Sequence, residues 1–206
     1  MYWWIWICVG WLILGIKELI DERRKVHNNK KLIKEYPFLL PKNRWTGEPC
    51  IDYDYGWTEL DAMPDGWRKA FGLDMCKEIK EELIRFDSLN DYRITEIKEK
   101  YGFLHWYDAG QPAGSKIDKI ISKYEDLSIC YCVNCGKPVR YFQNIYDDNQ
   151  YICEDCRNYL VDNKYYKPDK FIPINEDFIP ERTTYKDGVE EKWDTGIDFK
   201  KYWGLK

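Results

Sequence analysis

Two pairs of cysteines at a fixed spacing constrain the fold of this chain more than any other feature. Cys132 and Cys135 enclose two residues, as do Cys153 and Cys156, and seventeen residues lie between the pairs. Two C-x-x-C knuckles at this spacing are typical of a four-thiolate zinc site. Gly136, directly after the first pair, permits the tight turn of such a knuckle. The sequence therefore predicts structural zinc, held by Cys132, Cys135, Cys153 and Cys156.

A fifth cysteine lies beside the first knuckle. Cys130 could replace Cys132 only by lengthening that knuckle to C-x4-C, so we leave it outside the site. Four thiolates fill a tetrahedron and leave no position for a catalytic water. A redox dithiol is the main rival to zinc, but it would not need two pairs. Between the knuckles, "PVRYFQNIYDDNQYIC" predicts two short aromatic strands around "DDNQ", which is the layout of a zinc ribbon.

The chain opens on an apolar run with basic residues after it and none before it. Residues 2–16 carry no charged side chain. As a helix, fifteen residues cover roughly 22 Å, which is short of the roughly 30 Å hydrocarbon core, but Trp and Tyr can lie at the interface. Residues 2–20 therefore predict a membrane helix, and the positive-inside rule places the rest of the chain in the cytoplasm. The alternative is a helix buried in the protein or against a partner.

The rest of the chain divides into a stalk, a globular part and a tail. The predicted segments are a hydrophobic helix (1–20), a charged stalk or linker (21–35), an α+β domain (36–128), the zinc ribbon (129–160) and an extended tail (161–206). Prolines at 168, 173 and 180 forbid a regular helix in that part of the tail. Such a tail can strap across its own domain or dock into a partner as short aromatic anchors.

Apolar periodicity predicts the elements of the α+β domain. Apolar residues every four positions from Trp67 to Leu83 indicate an amphipathic helix, broken near Gly72. "YRITEI" and "FLHWY" favour two strands that turn at Gly102, although a helix also fits the first of them. Apolar residues between 117 and 127 indicate a second amphipathic helix. The predicted fold is a small α+β domain with amphipathic helices and a β-hairpin, closed by a four-cysteine zinc ribbon.

The charge balance argues against a protein whose main role is to coat nucleic acid. The chain has a net charge of -4, and between Cys130 and Lys164 five acidic residues outnumber four basic ones. Tyrosines of the ribbon could stack on bases, but without a basic groove they fit a small core better. A nucleic-acid-associated regulator is therefore the alternative function.

Common catalytic motifs are missing from the sequence. It contains no Walker loop, no G-x-G-x-x-G, no H-E-x-x-H and no G-x-S-x-G. His105 in "LHWYDAG" could act with Asp108 as an acid–base pair. A single histidine among aromatic residues is more often a packed residue, and no nucleophile partner is visible. The sequence therefore predicts that the chain is not an enzyme.

Four segments of the chain resemble a group of small zinc-ribbon proteins of phages, prophages and bacteria. They are the run "IKEKYGFLHWYDAG", the helix ending "KYEDLS", the first knuckle "CVNCGKP" and the second C-x-x-C. "YPFLLPKNRWTG" and "YGWTELDAMPDGWRKAFGLDMCKEI" are similar to the phage members, and the resemblance covers roughly residues 36–156. It implies a phage or mobile-element setting and the same four ligands. We therefore expect a non-enzymatic accessory protein that binds a host or phage protein, with interference in a host defence system as one role that suits this setting. Its expected place is the bacterial cytoplasm, with residues 2–20 as an anchor to the inner membrane.

Overall fold

The computed structural model describes residues 3–143, 149–175, 178, 183–186, 189–192, 197 and 199–203, and these form helices and small antiparallel sheets. The predicted α+β class is therefore confirmed. The helices are α1 (Trp3–Glu35), α2 (Asp65–Trp67), α3 (Leu73–Arg85), α4 (Ile117–Leu127), α5 (Glu154–Asp162) and α6 (Phe199–Trp203). The strands are β1 (Arg93–Lys100), β2 (Phe103–Ala109), β3 (Tyr141–Gln143), β4 (Gln150–Ile152), β5 (Phe171–Pro173), β6 (Thr183–Lys186) and β7 (Val189–Lys192).

Helix α1 is continuous through both the apolar run and the charged stretch that follows it. It joins the rest of the fold near its C-terminal end, where Leu32 and Ile33 pack on the core and Asn29 Nδ2 donates to the Tyr55 carbonyl at 2.8 Å. Across the described ranges, no helix combines the length and the apolar character needed to cross a membrane. The prediction that residues 2–20 span a membrane therefore finds no support in the described residues, and the charge-free run ends at Ile16.

The helix expected between Trp67 and Leu83 is present and is interrupted where the sequence indicates. Helix α2 begins after Pro64, a π-helical turn spans Arg68–Gly72, and α3 follows directly. The five apolar side chains at four-residue spacing are all buried, namely Trp67, Phe71, Met75, Ile79 and Leu83. The wider π turn keeps this stripe directed at the core through the irregular segment.

Strands β1 and β2 form the predicted hairpin. Tyr101 and Gly102 both have positive φ angles, 55° and 83°, as a two-residue turn between twisted strands requires. A register shift lies between Ile94 and Glu96, so Ile94 and Ile97 both face inward despite their odd spacing. Helix α4 covers this apolar face with its own buried side chains.

The second sheet contains strands from two separate parts of the chain. Strand β3 lies in the middle, with β4 on one side and β5, from the beginning of the tail, on the other. Residues 144–148 of the predicted ribbon turn lie outside the described residues. The two strands expected around that turn are confirmed as β3 and β4, whereas the third strand was not predicted.

The larger of the two hydrophobic clusters in the described residues joins the domain, the ribbon and the tail, and the smaller one surrounds Cys132 and Cys153. Side chains from all three parts belong to the same buried cluster, among them Trp67, Leu104, Val133, Tyr151 and Trp203. Trp203 in α6 is 2% exposed, its Nε1 donates to the Ile129 carbonyl at 3.4 Å, and its own carbonyl accepts a bond from Arg140. Of the two roles considered for the tail, its described parts take that of a strap on its own domain.

Candidate metal centre

The four predicted ligands meet at one point. The Sγ atoms of Cys132, Cys135, Cys153 and Cys156, hereafter the thiol cluster, all lie within 4.8 Å of one another, and Cys135 and Cys153 are 3.4 Å apart. A tetrahedral ion with metal–sulfur bonds of about 2.3 Å separates its sulfurs by about 3.8 Å. The thiol cluster therefore has the dimensions of a four-thiolate site and could hold a metal ion.

The first knuckle is built by backbone hydrogen bonds around Cys132. The amide of Cys132 donates to the Lys137 carbonyl at 2.8 Å, and the amide of Gly136 donates to the Cys132 carbonyl at 2.9 Å. Gly136 has a φ angle of +80°, which glycine adopts without strain. These bonds turn the chain back so that both sulfurs of the pair reach the same centre.

The second knuckle coincides with the start of helix α5. Cys153 is the N-cap residue, and its sulfur accepts a bond from the Cys156 amide at 3.5 Å. Cys156 lies in the first turn of the helix, where the amide groups and the helix dipole favour negative charge. The Cys156 amide therefore favours the ionised form of the Cys153 sulfur, although burial outweighs this effect and the pKa of Cys153 is raised overall.

The pKa values of Cys135, Cys153 and Cys156 are shifted by burial and by the neighbouring sulfurs of the thiol cluster. Burial raises the pKa of Cys153 to about 11, and burial together with the charge on Cys132 raises the pKa of Cys156 further. At Cys135 burial opposes ionisation, but hydrogen bonds from the Lys137 amide and from the other thiols prevail and lower the pKa. Four neighbouring thiols thus resist joint ionisation, and a bound cation would remove that resistance.

The first knuckle is locked to the helical domain by direct backbone contact. The Gly66 amide donates to the Val133 carbonyl at 2.9 Å, and Trp67 Nε1 donates to the Tyr131 carbonyl at 3.0 Å. A Cβ atom on Gly66 would lie 2.5 Å from the Val133 oxygen and closer still to the Cys132 oxygen. Only glycine permits this approach, so the metal centre and α2 form one unit.

Sequence reasoning missed this contact. Gly66 is 66 positions from Cys132 in the chain, a separation over which no local sequence pattern extends. A glycine inside the first helical turn, where it lowers helix stability, is the one local sign that something approaches the backbone there.

Cys130 lies outside the thiol cluster, where the sequence prediction left it. It is 1% exposed and belongs to the hydrophobic core, and burial, with the nearby Asp126 charge, raises its pKa to about 12. Burial raises the pKa of Cys76 to about 12 as well. Both side chains therefore act as small apolar groups rather than as ligands or nucleophiles.

The acid–base pair considered at His105 is not formed. Alternation along β2 places His105 and Tyr107, whose rings stack 6.2 Å apart, on one face of the strand. Asp108 belongs to the other face, where Tyr92 Oη donates to it at 2.7 Å and Gln111 Nε2 donates at 2.8 Å. His105 and Asp108 therefore lie on opposite sides of the hairpin.

The thiol cluster is the one group of three or more potential metal ligands in the described part of the chain. Its chemistry is that of a closed site, since every ligand comes from the protein. The resemblance to phage-encoded zinc-ribbon proteins stays a prediction, because no protein-family model, no curated protein and no solved structure matches the chain.

Proposed function

We propose that this chain is a non-enzymatic binding protein, held together by structural Zn²⁺ and acting through contact with a protein partner. Zinc is preferred over other thiolate-bound metals because two C-x-x-C knuckles joined by a short hairpin are its usual host. With four protein thiolates the ion has no open position, so it supplies stability and no Lewis-acid chemistry.

The observation that carries the binding role is a Trp side chain presented by an ordered loop. Trp45 is 84% exposed, and it lies in the loop closed by the bridge between Lys42 and Pro49. Asn43 Oδ1 accepts bonds from the Trp45 amide at 2.8 Å and from the Thr46 amide at 3.0 Å. An exposed Trp on a loop that is already ordered loses little conformational freedom on binding, which is the property of an interface anchor.

More apolar surface lies in the following segment. Ile51 is 91% exposed and Trp57 is 43% exposed. Tyr53 packs between Tyr55 and Trp57, with ring centroids 4.8 Å and 6.3 Å away, and its hydroxyl donates to the Trp57 carbonyl. We name residues 42–57 the aromatic loop. Aromatic side chains are enriched in the centres of protein interfaces, so the aromatic loop suits a protein partner.

The setting of this function comes from the sequence resemblance. In a phage or mobile element the partner would be a host or phage protein, and counteracting a host defence system is one role that suits it. Association with nucleic acid is the alternative, and the experiment below separates the two.

The test is affinity capture from bacterial lysate with the zinc-loaded full-length chain, in nuclease-treated and untreated halves. We expect one protein at stoichiometric yield in both halves. Trp45→Ser should weaken its capture at least about tenfold, since an interface anchor contributes more than about 1.4 kcal/mol.

Tyr165→Ser is the matched control, because Tyr165 is also exposed, at 64%, but lies outside the aromatic loop. It should leave capture unchanged. Retained nucleic acid, or a partner lost on nuclease treatment, would replace the proposal with the regulator. Equal capture by the Trp45→Ser variant would remove the aromatic loop as the binding site.

A further inference from the structure

We propose that the N-terminal half of α1 docks into the surface of a lipid bilayer that contains anionic lipids. This contact is separate from protein binding by the aromatic loop, and it requires entry into one leaflet rather than a crossing of the membrane. It rests on three features of α1, namely exposed apolar side chains, their distribution around the helix and the charge of the segment that follows.

The first feature is the amount of apolar side chain that α1 exposes to solvent. Trp11 is 72% exposed and Leu12 is 64% exposed. The large apolar side chains exposed along this half are Trp3, Ile7, Trp11, Leu12, Leu14, Ile16, Leu19 and Ile20. A Cβ atom added at Gly10 or at Gly15 would meet no atom of the described residues within 4 Å, so no described segment folds back over these positions. Exposed apolar surface of this size marks a binding surface.

The second feature is that the exposed apolar side chains occupy more than one side of the helix. At about 100° per residue, Leu14 and Ile16 point in nearly opposite directions, and both are about half exposed. A groove on a partner protein covers a single stripe of a helix. A helix that is apolar on several sides is matched by an environment that surrounds it, as lipid tails do.

The third feature is the charge of the rest of α1. From Lys17 to Glu35 the helix carries seven basic and four acidic residues, a net charge of +3 in a chain whose total is -4. The basic residues are all exposed, namely Lys17, Arg23, Arg24, Lys25, Lys30, Lys31 and Lys34. Basic residues directly after an apolar helix segment attract anionic headgroups. The acidic remainder of the chain would then face away from the lipid.

Aromatic residues strengthen the preference for lipid. The apolar half includes several Trp residues, of which Trp11 is well exposed. The indole ring has an apolar body and one polar N–H, so it favours the boundary between headgroups and acyl chains. Interfacial rings and apolar side chains therefore share the first part of α1, and the basic residues begin at Lys17.

The test is vesicle flotation of the zinc-loaded full-length chain. One set of vesicles contains phosphatidylcholine alone, and the other contains phosphatidylcholine mixed with phosphatidylglycerol. We expect the chain to float with the mixed vesicles, and the triple variant Trp11→Ser/Leu12→Ser/Leu14→Ser to stay at the bottom of the gradient. These side chains are exposed, so their loss should not unfold the core, and circular dichroism checks this.

Charge is tested by Arg23→Gln/Arg24→Gln/Lys25→Gln. It should weaken binding to the mixed vesicles by tenfold or more, since each basic residue near the surface contributes about 1 kcal/mol. The matched control, Lys164→Gln/Lys167→Gln/Lys170→Gln, removes the same charge from exposed positions elsewhere and should bind as the unaltered chain does.

Two results would overturn the lipid contact. One is a chain that stays at the bottom with both kinds of vesicle. The other is a discrete dimer in solution that the Trp11/Leu12/Leu14 variant abolishes, because a second copy would then cover α1. The Trp45→Ser variant should float like the unaltered chain, so a failure of the protein-binding function is distinguishable from a failure of this contact.

Discussion

At the scale of single residues, Asp108 shows how burial sets the chemistry of a side chain. Its carboxylate lies below the hairpin, where Tyr92 and Gln111 donate hydrogen bonds to it and Gln111 also reaches Asp118 at 2.9 Å. Burial raises the pKa of Asp108, the two donors partly offset that effect, and the Asp118 charge adds to it. The ionised form of the Asp108 carboxyl is therefore less stable in the folded chain than in water.

This environment predicts a dependence of stability on pH. Because the pKa of Asp108 is raised from 3.8 in the folded state, the folded chain keeps a proton that the unfolded chain releases, and stability falls as pH rises through that window. We expect the difference in free energy of unfolding, Asp108→Asn minus the unaltered chain, to increase with pH from 3.8 up to the raised value and then to level off. Urea unfolding at several pH values measures it.

Asp169→Asn is the control for the pH series, because it removes a carboxylate from an exposed position outside the hairpin. Its difference from the unaltered chain should depend on pH less strongly than that of Asp108→Asn. A difference for Asp108→Asn that is flat or decreases with pH would show that Asp108 ionises as easily in the folded state as in the unfolded one.

At the scale of elements, the contact between α2 and the first knuckle should be sensitive to a single methyl group. Gly66→Ala forces the backbones of Gly66 and Val133 apart and breaks their 2.9 Å hydrogen bond. Overpacking costs about 1–3 kcal/mol and the lost bond about 1 kcal/mol, so we expect a destabilisation of about 3 kcal/mol. Denaturant unfolding of the zinc-loaded chain measures this loss.

Gly15→Ala is the matched control, since Gly15 is also helical and a Cβ atom there meets nothing within 4 Å. Alanine is the better helix former, so this variant should be as stable as the unaltered chain or slightly more stable. If both variants unfold at the same denaturant concentration, the close approach of α2 to the knuckle does not contribute to stability.

The elements also show which parts of the fold can be predicted from sequence. The α2–α3 stripe, the hairpin turn at Gly102 and the two knuckles were predicted because each depends on residues close together in the chain. Strand β5 was missed because its pairing with β3 joins Tyr141 to Pro173, a distance in sequence over which no local pattern extends. The contact of Gly66 with Val133 escaped prediction for the same reason. The thiol cluster is the exception, since its fixed spacing encodes a long-range contact.

At the scale of the whole molecule, the shared core should make metal binding and folding one event. Val133 and Tyr151 of the ribbon lie in the same buried cluster as Trp67 and Leu104. If the proposed zinc is bound, its removal by a chelator should therefore destabilise the entire described body by at least about 3 kcal/mol, and lower the midpoint of thermal unfolding by about 10 °C. Circular dichroism and Trp fluorescence should report a single transition at the same temperature.

Two variants control the metal experiment. Cys156→Ser should reproduce the effect of the chelator, whereas Cys50→Ser, at an exposed cysteine outside the thiol cluster, should behave as the unaltered chain does. Two separate transitions, with only the smaller one sensitive to chelation, would contradict a common core and indicate a ribbon that unfolds by itself.

The third strand of the ribbon sheet has a consequence for synthesis on the ribosome. Strand β5 and Trp203 both follow the second knuckle in the chain, yet they complete the sheet and cover the core around Ile129. A nascent chain whose knuckles have already emerged from the exit tunnel can take up its ion while β3 still has one unpaired edge. Translation must therefore proceed through the later segments before that edge is paired, and until then the nascent chain is a natural client for chaperones that recognise unpaired strands.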